Sequence, residues 1–448
     1  MNKPSSRFYN SLRAYLDEVP VIDTHEHYFS TTDTHPLEVM TLIDNSFYTN
    51  HDLCSVSIQS AKDFKNLSYT LENQFAEPYD IFKKAYDKAR HTSYFKGTAR
   101  GLKECWGLEK IDRQSLIDLQ KHIMSQRDNE FYQTMMEKYK IRIKILDTCN
   151  PDRIAGFSKT GMLEGFSSYC RFAFPLTTFH DWFGNSKKIP DMLNELTGLP
   201  VKNLDEFISA FETFLKACVK AGIVCMKDQS AYSRIIRFEN VTRQQADAIY
   251  AKLTAGGSLS YDESLSLSNW SMRFYMTMAR KYKLPVQIHT GHMAGLYNDV
   301  SKANAIHLIS LLNDFRDVHF DLFHGNWPYM GEYLFLGKNY PNVSLDLCWV
   351  QSIDCEYSVE LMKRAVMTLP HNKVLAFGGD SCLIENTVGY LCQARDNVAY
   401  ALSSLMECGW LSMEDAKEIA CDWFYNNPNE IFKLGLEKCE WECIGGKK

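Results

Sequence analysis

The chain has 448 residues, of which 45% are hydrophobic and 13% aromatic, so it has enough apolar material for a large core. Its formal net charge of -6, with both signs mixed along the sequence, excludes a strongly basic nucleic-acid surface and argues against a membrane surface. The start of the chain lacks the apolar segment of a secretory signal, and no stretch is apolar for long enough to span a membrane. The 14 cysteines form no Cys-x-x-Cys pair. Together these features predict a cytoplasmic protein with reduced thiols.

Short β-rich runs recur along the chain, and each ends at a polar or glycine-containing segment. In chain order they are Val21–His25, Ile143–Asp147, Arg171–Phe174, Ile223–Lys227, Val286–His289, Val318–Phe323, Val343–Leu347 and Val374–Phe377. Segments with helical periodicity, such as residues 204–221 and 266–283, lie between them. Eight alternations of strand and helix predict an α/β fold in which a parallel sheet closes as a (β/α)8 TIM barrel. An open doubly wound sheet is the alternative, but no G-x-G-x-x-G follows the first strand.

Three features depart from a minimal barrel. Residues 29–140 separate the first two strands by far more than one crossover helix needs, which predicts a large, mainly helical insertion within a barrel made of residues 1–28 and 141–448. After the fourth strand, a helix, a break at Gly256 and a second helix are expected before the fifth strand. Near the end of the chain, a helix is expected to start after an N-cap at Ser412 and to break at Pro428.

Residues with metal-binding or acid-base chemistry fall at the ends of the predicted strands. Side chains alternate along a strand, so His25 and His27 project to the same side. Further candidates follow the fourth, fifth, sixth and eighth strands, namely Lys227, His289, His292, His324 and Asp380. In a closed barrel these strand ends converge on the face where active sites lie, so residues far apart in sequence become neighbours.

Four of these residues offer the ligand set of a divalent metal. His25, His27, His289 and Asp380 supply imidazole nitrogens and a carboxylate, which suit zinc, with manganese as the alternative, in a site of one or two ions. Lys227 is expected either to bridge two metals as a carbamate or to hold a substrate carboxylate as an ammonium group. His324 is expected to bind a second metal or to polarise the substrate.

Each candidate also has a simpler interpretation. The two histidines after the first strand are compatible with a surface turn, and Asp380 with a helix cap. His292 is expected to support the site rather than ligate. Arg234 is a candidate for holding a substrate carboxylate, and Tyr28 and Trp327 for lining a pocket, although ordinary packing explains aromatic residues equally well.

The arrangement of His-x-His on the first strand, Lys on the fourth, His on the fifth and sixth and Asp on the eighth resembles the amidohydrolase superfamily of metal-dependent (β/α)8 barrels. The long insertion, "ILDTCNPD" and "DWFYNNPNEIF" are similar to uronate isomerases. The resemblance implies that His25, His27 and Asp380 bind metal, that His289 ligates or lies beside it, and that Asp380 also carries protons. Uronate isomerases have an arginine shortly after this aspartate and no histidine after the sixth strand, whereas this chain has "SCLIEN" and His324.

These departures favour a hydrolase that acts on a small, carboxylated amide, ester or lactone through a metal-activated water. An aldose-ketose isomerase of uronates and a non-oxidative decarboxylase are the alternative enzymes. A metal-free binding protein on an inherited barrel is the alternative of another class. The expected partner is a small molecule rather than nucleic acid or membrane, and the helical insertion offers a surface on which copies of the chain would form a homo-oligomer.

Overall fold

A computed structural model describes residues 7–27, 35–44, 48–147, 169–183 and 188–444. Eight parallel strands pair in chain order, β1 to β8. Their bounds are Val21–His27, Ile141–Asp147, Cys170–Pro175, Ile223–Asp228, Val286–Ile288, Phe320–Leu322, Val343–Asp346 and Val374–Leu375. Every strand that the sequence predicts is present, within a few residues at each end.

The segment after β8 closes the ring against β1. Thr24 N–H donates to the Phe377 carbonyl at 3.1 Å, Asp380 N–H to the His25 carbonyl at 2.9 Å, and His27 N–H to the Ser381 carbonyl at 2.9 Å. The predicted (β/α)8 barrel is therefore confirmed. Two site residues are not in strands, because β5 and β8 end before His289 and Asp380, which lie in the loops that follow.

Helices cover the outside of the barrel. Before β1 there is Arg7–Glu18, and between β3 and β5 there are Thr177–His180, Lys188–Thr197, Leu204–Ala221, Arg243–Thr254 and Tyr261–Tyr282. After β5 the α-helices are Ile309–Asp314, Met330–Asn339, Val350–Ile353, Cys355–Thr368, Ile384–Glu407, Met413–Cys421 and Asn427–Ile431. None of the described helices has the length and apolar character needed to cross a bilayer.

The starts and ends of the helices coincide with capping residues, glycine and proline in the sequence. The helix Leu204–Ala221 starts at an Asn203 cap, and it ends at Gly222, whose φ of 100° is accessible to glycine at little cost. Ser412 caps the helix that begins at Met413. The predicted break near Pro428 is a π-helical turn over Asp422–Asn426, after which Pro428 lies in the first turn of the next helix, where a missing N–H costs least.

The region between β1 and β2 is helical, as predicted. Its described helices are Val39–Asp44, Tyr48–Ser55, Ile58–Lys65, Glu77–Ala89, Ser93–Trp106, Arg113–Gln126 and Asn129–Lys138. Most of them bury apolar residues in a cluster distinct from the main core, and Leu383 from the loop after β8 joins that cluster. We propose on this basis that residues 29–140 form the insertion and that residues 1–28 and 141–448 form the barrel.

Candidate metal centre

The loop after β8 brings Asp380 against β1, and two glycines make this approach possible. A Cβ on Gly378 would lie 2.6 Å from Thr24 Oγ1, and one on Gly379 would lie 2.2 Å from Glu26 Oε1. Any larger residue would therefore push the loop away from β1. Asp380 itself has a φ of 49°. The next helix begins at Ile384 without a side-chain cap, so Asp380 is not a helix cap.

His25, His27 and Asp380 meet at the carboxyl end of the barrel. His27 Nε2 lies 2.9 Å from Asp380 Oδ1, and His25 Nε2 lies 3.8 Å from the same oxygen. His25 and Asp380 are almost fully buried, and His25 Nδ1 has no hydrogen-bond partner among the described residues. The structure thus brings together three residues that lie up to 355 positions apart in the chain.

The electrostatics of this cluster suit a cation. Burial, followed by the charge of Lys227, holds the pKa of His25 well below its ordinary value, so its imidazole is neutral. Burial works to raise the pKa of Asp380, but the hydrogen bond with His27 and the electrostatic influence of His27, His25 and His324 hold this pKa well below its usual range. A neutral His25 imidazole beside an ionised Asp380 carboxylate matches the protonation states that divalent zinc requires of its ligands. The residues present therefore fit a metal ion.

Asp147 is a further candidate ligand that the sequence interpretation missed. It is buried at the end of β2, and one of its carboxylate oxygens lies within 4.8 Å of ring nitrogens of both His25 and His27. The rule that selected the other candidates, a metal-binding side chain at a strand end, also applies to this residue. We propose that it belongs to the centre.

His289 and His324 form a buried pair whose hydrogen bonds conflict when both rings are neutral. His289 Nε2 donates to the His292 carbonyl at 2.8 Å, and His324 Nδ1 donates to the Cys348 carbonyl at 3.1 Å. The remaining nitrogens, His289 Nδ1 and His324 Nε2, face each other at 3.1 Å. Because each of these nitrogens then carries a lone pair, the pair needs a proton or a cation nearby.

This geometry qualifies the role expected of His289. Both of its ring nitrogens already have protein partners, so ligation would require the contact with His324 to open. His324 Nε2 also lies 3.8 Å from Asp380 Oδ2, which links the pair to the metal cluster. Burial lowers the pKa of His324 to about 3. Metal ligation by His289 stays a prediction.

A cavity of about 490 Å³ opens beside the cluster. His27, Lys227, His289 and Asp380 line it, as do Tyr48, Thr177, Asp181, Gln229, Tyr232, Ser233 and Ala294. Tyr48 comes from the insertion, and its hydroxyl donates to the Asp380 carbonyl. Its contribution had no signal in the sequence, because it depends on how the insertion folds back over the barrel.

The predicted substrate-binding residues are not brought to this cavity. Arg234 is fully buried, and its guanidinium donates to the carbonyls of Ile235 and Arg237 and to Asn269, so these bonds hold it in the interior. The rings of His292 and Trp327 contact each other, with centroids 5.3 Å apart, and neither lines the cavity. Arg234, His292 and Trp327 are thus not among the residues that line this cavity, and a role for them in substrate binding stays a prediction. Tyr28 lies outside the described residues.

The sequence model of the amidohydrolase family matches residues 234–434. Over these residues the chain is similar to amidohydrolases, which agrees with the sequence resemblance. The metal-binding donors at the barrel end are consistent with the metal dependence of that superfamily. The fold is uronate isomerase-like, as the resemblance implied.

Solved structures show the same fold over almost the whole chain. Uronate isomerase from Thermotoga maritima has a TM-score of 0.76 and 14% sequence identity, over 96% of this chain and 98% of that one. Glucuronate isomerase from Caulobacter crescentus has a TM-score of 0.75 and 16% identity, over 98% and 97%. Protein fluG of Emericella nidulans is 24% identical over 262 residues, which make up 53% of this chain and only 30% of the length of that relative.

Proposed function

We propose that this protein is a metal-dependent hydrolase of the amidohydrolase superfamily that acts on a small amide, ester or lactone carrying a carboxylate. The observation that carries the proposal is the meeting of His25, His27 and Asp380 at one wall of a cavity whose only described lysine or arginine is Lys227. The candidate metal ligands and the Lys227 ammonium therefore face the same cavity. A substrate placed there would have its carboxylate near Lys227 and its scissile bond near the metal ligands.

His25, His27 and Asp380, with Asp147 beside them, would hold the metal, and the two imidazole ligands favour zinc, with manganese as the alternative that the two carboxylates also suit. A bound divalent ion would polarise the scissile carbonyl and lower the pKa of water at the site. We leave His289 next to this group, as a residue that ligates only if its contact with His324 opens.

Asp380 is the proposed proton carrier. Its low pKa keeps it ionised near neutral pH, so its carboxylate accepts a proton from the attacking water and delivers it to the leaving nitrogen or oxygen. The hydroxyl group of the water ends on the acyl carbon, and the bond to the leaving group breaks. His324 is fully buried and turned toward His289, so we assign it to orienting His289 rather than to contact with substrate.

Lys227 is the proposed carboxylate-binding residue. Its ammonium lies 4.7 Å from the centre of the Phe323 ring, a contact that suits a cation. We therefore favour the free ammonium over a carbamate that bridges two metals. A structure of the metal-loaded protein would separate these states, because a carbamate adds density at Nζ between two ions.

A uronate isomerase is the second candidate, and the likeness to uronate isomerases over nearly the full chain favours it. Against it stand Cys382 and Leu383 after Asp380, both buried, where the isomerase resemblance leads us to expect an arginine that binds the sugar carboxylate. Arg234 offers no replacement, because it is held in the interior.

The deciding experiment assays zinc- and manganese-loaded protein on three reactions in parallel. Hydrolysis is followed on matched amides, esters and lactones with and without a carboxylate, isomerisation on glucuronate and fructuronate, and decarboxylation by release of carbon dioxide. We expect hydrolysis of carboxylated compounds and no sugar isomerisation. Turnover of glucuronate without any hydrolysis would reject the hydrolase in favour of the isomerase.

A further inference from the structure

Two opposite charges line the cavity without being paired to each other or to other described residues. They are Lys227 at the end of β4 and Asp181 just after the short helix Thr177–His180, which follows β3. The metal cluster accounts for neither. Charged groups next to a small cavity are costly unless a ligand or water neutralises them, so their combination carries information about the substrate.

Lys227 lacks an anionic partner in the described part of the chain. Its side chain is 2% exposed, yet no carboxylate lies within ion-pair distance of Nζ. Its ammonium lies over the Phe323 ring, and its charge helps to lower the pKa values of His25 and His289 and of the buried carboxyl of Asp321, which forms no ion pair with it among the described residues. A substrate carboxylate would supply the missing countercharge.

Asp181 is the complementary group. It is half-buried, it forms no ion pair within the described ranges, and its carboxylate accepts a hydrogen bond from the Phe183 N–H. Its Oδ1 atom is shielded from solvent and has no hydrogen-bond donor among the described residues. Burial raises the pKa of this carboxyl, and the neighbouring His180 and the bond with Phe183 oppose the shift. One carboxylate oxygen therefore retains its accepting capacity for a donor that enters the cavity.

We infer that the cavity selects a zwitterionic substrate, whose carboxylate is bound by Lys227 and whose ammonium group is bound by Asp181. The Tyr232 ring lines the same cavity and offers the ammonium an aromatic neighbour. This inference rests on the proposed function only in the identity of the bond that is hydrolysed. Recognition of the two substrate charges does not depend on which reaction follows. Asp181 would be a specificity-determining residue.

Three compounds of similar size test the inference by direct calorimetric titration of the metal-loaded protein. Glycylglycine carries both charges, N-acetylglycine lacks the ammonium group, and glycylglycinamide lacks the carboxylate. We expect glycylglycine to bind at least about tenfold more tightly than either analogue, because a charge-assisted hydrogen bond is worth about 1.5 to 3 kcal/mol.

Two variants separate the contributions of the two charges. D181N should abolish the preference over N-acetylglycine and keep the preference over glycylglycinamide, and Lys227→Met should do the reverse. A preference over N-acetylglycine that survives in D181N would show that the ammonium group binds elsewhere, for instance on the metal, and would overturn the inference. If D181N fails to fold, the unmodified protein still tests the inference: equal binding of all three compounds to it would overturn the proposed charge recognition.

The same titrations, together with the hydrolysis assay, distinguish this inference from the proposed function. Selective binding without cleavage of any amide, ester or lactone in the panel would leave the charge recognition standing and remove the hydrolase. Cleavage of anionic and zwitterionic amides at equal kcat/KM, with equal binding, would leave the hydrolase standing and remove the role of Asp181.

Discussion

At the scale of single residues, the candidate centre depends on protonation as much as on position. His27 and Asp380 lie 2.9 Å apart, and burial beside Lys227 keeps His25 neutral. The facing nitrogens of His289 and His324 add a second group that is incomplete without a proton or cation. Several buried side chains therefore leave hydrogen-bonding capacity unused around one point, which is unusual in a folded core.

Replacing His27 by alanine should remove the metal. The expected result is a fall in bound zinc from stoichiometric to trace amounts, with activity reduced at least about 100-fold, since even residues that only support a metal ligand are worth 10- to 100-fold. Elemental analysis after dialysis measures the metal, and His122→Ala, an exposed histidine in the insertion, is the control. Full zinc content in the His27 variant would contradict the assigned centre.

At the scale of elements, the insertion is held on the barrel by a close helix crossing. Helix Ser93–Trp106 packs against helix Ile384–Glu407 at Gly97, Gly101 and Gly389. A Cβ on Gly101 would lie 1.9 Å from the Glu385 carbonyl oxygen, which belongs to backbone and cannot rotate away. The crossing thus requires a residue without a side chain.

Gly101→Ala should destabilise the protein by about 1 to 3 kcal/mol, the usual cost of overpacking, despite the higher helix propensity of alanine. Gly331→Ala is the matched control, because Gly331 is also helical and a Cβ there meets nothing within 4 Å. The control should be neutral or stabilising by up to about 1 kcal/mol. Urea unfolding of both variants provides the comparison, and equal stabilities would refute the packing argument.

A buried ion pair joins the same two parts of the molecule. Arg127 Nε lies 2.8 Å from Glu385 Oε1, Arg127 Nη2 lies 3.1 Å from Oε2, and both side chains are essentially inaccessible to solvent. Trp106 Nε1 donates to the same carboxylate at 3.1 Å. Glu385 lies five residues after Asp380 in the chain, so the pair links the insertion to the segment that carries the proposed proton carrier.

Arg127→Met should cost about 3 to 5 kcal/mol, because it leaves the Glu385 charge buried without its partner. The double variant Arg127→Met/Glu385→Gln should recover a large part of that loss, since no unpaired charge remains. Thermal and urea unfolding measure both. A double variant no more stable than Arg127→Met would show that the arginine acts through packing rather than through charge.

At the scale of the whole molecule, buried carboxyl groups inside the barrel make stability depend on pH. Burial raises the pKa of Asp321 to about 7, and burial together with the charge of Asp321 raises the pKa of Asp346 well above its ordinary range. The folded protein therefore keeps protons that the unfolded chain releases above its ordinary carboxyl pKa of about 4. Because the folded state binds more protons in this window, this pair makes stability fall as pH rises from about 4 to 7.

Asp346→Asn should weaken this dependence. The amide keeps an acceptor for the Cys348 N–H, which donates to Asp346 Oδ1 at 2.8 Å, and it replaces a carboxyl group that must hold a proton with a group that is neutral at every pH. Relative to the unmodified protein, the variant should gain about 1 to 3 kcal/mol between pH 5 and pH 7, measured by urea unfolding in chelator. Asp262→Asn, at an exposed position, is the control and should leave the pH dependence of stability unchanged. If the stability of the Asp346 variant depended on pH as steeply as that of the unmodified protein, Asp346 would not be a source of the pH dependence.

The amino-acid sequence determined the fold and the centre of the candidate site. Apolar residues repeat with different periods in strands and in helices, so eight alternations of strand and helix could be recognised in the sequence. Eight parallel strands predict a closed barrel, in which the carboxyl ends of the strands converge on one face. His25, His27, His289, His324 and Asp380 could be selected because each directly follows or ends such a run. Asp147 satisfied the same rule and was overlooked.

Only the tertiary structure decided which side chains face the cavity. Arg234 follows β4 in the next loop, yet its Nε and Nη2 groups donate to two main-chain carbonyls and to Asn269 in the interior, and that depends on the path of its loop. Tyr48 and Asp181 reach the cavity from a distant helix and from the loop after β3. Periodicity predicts which face of a strand or helix is buried, but loop paths and contacts between distant segments arise only when the chain closes.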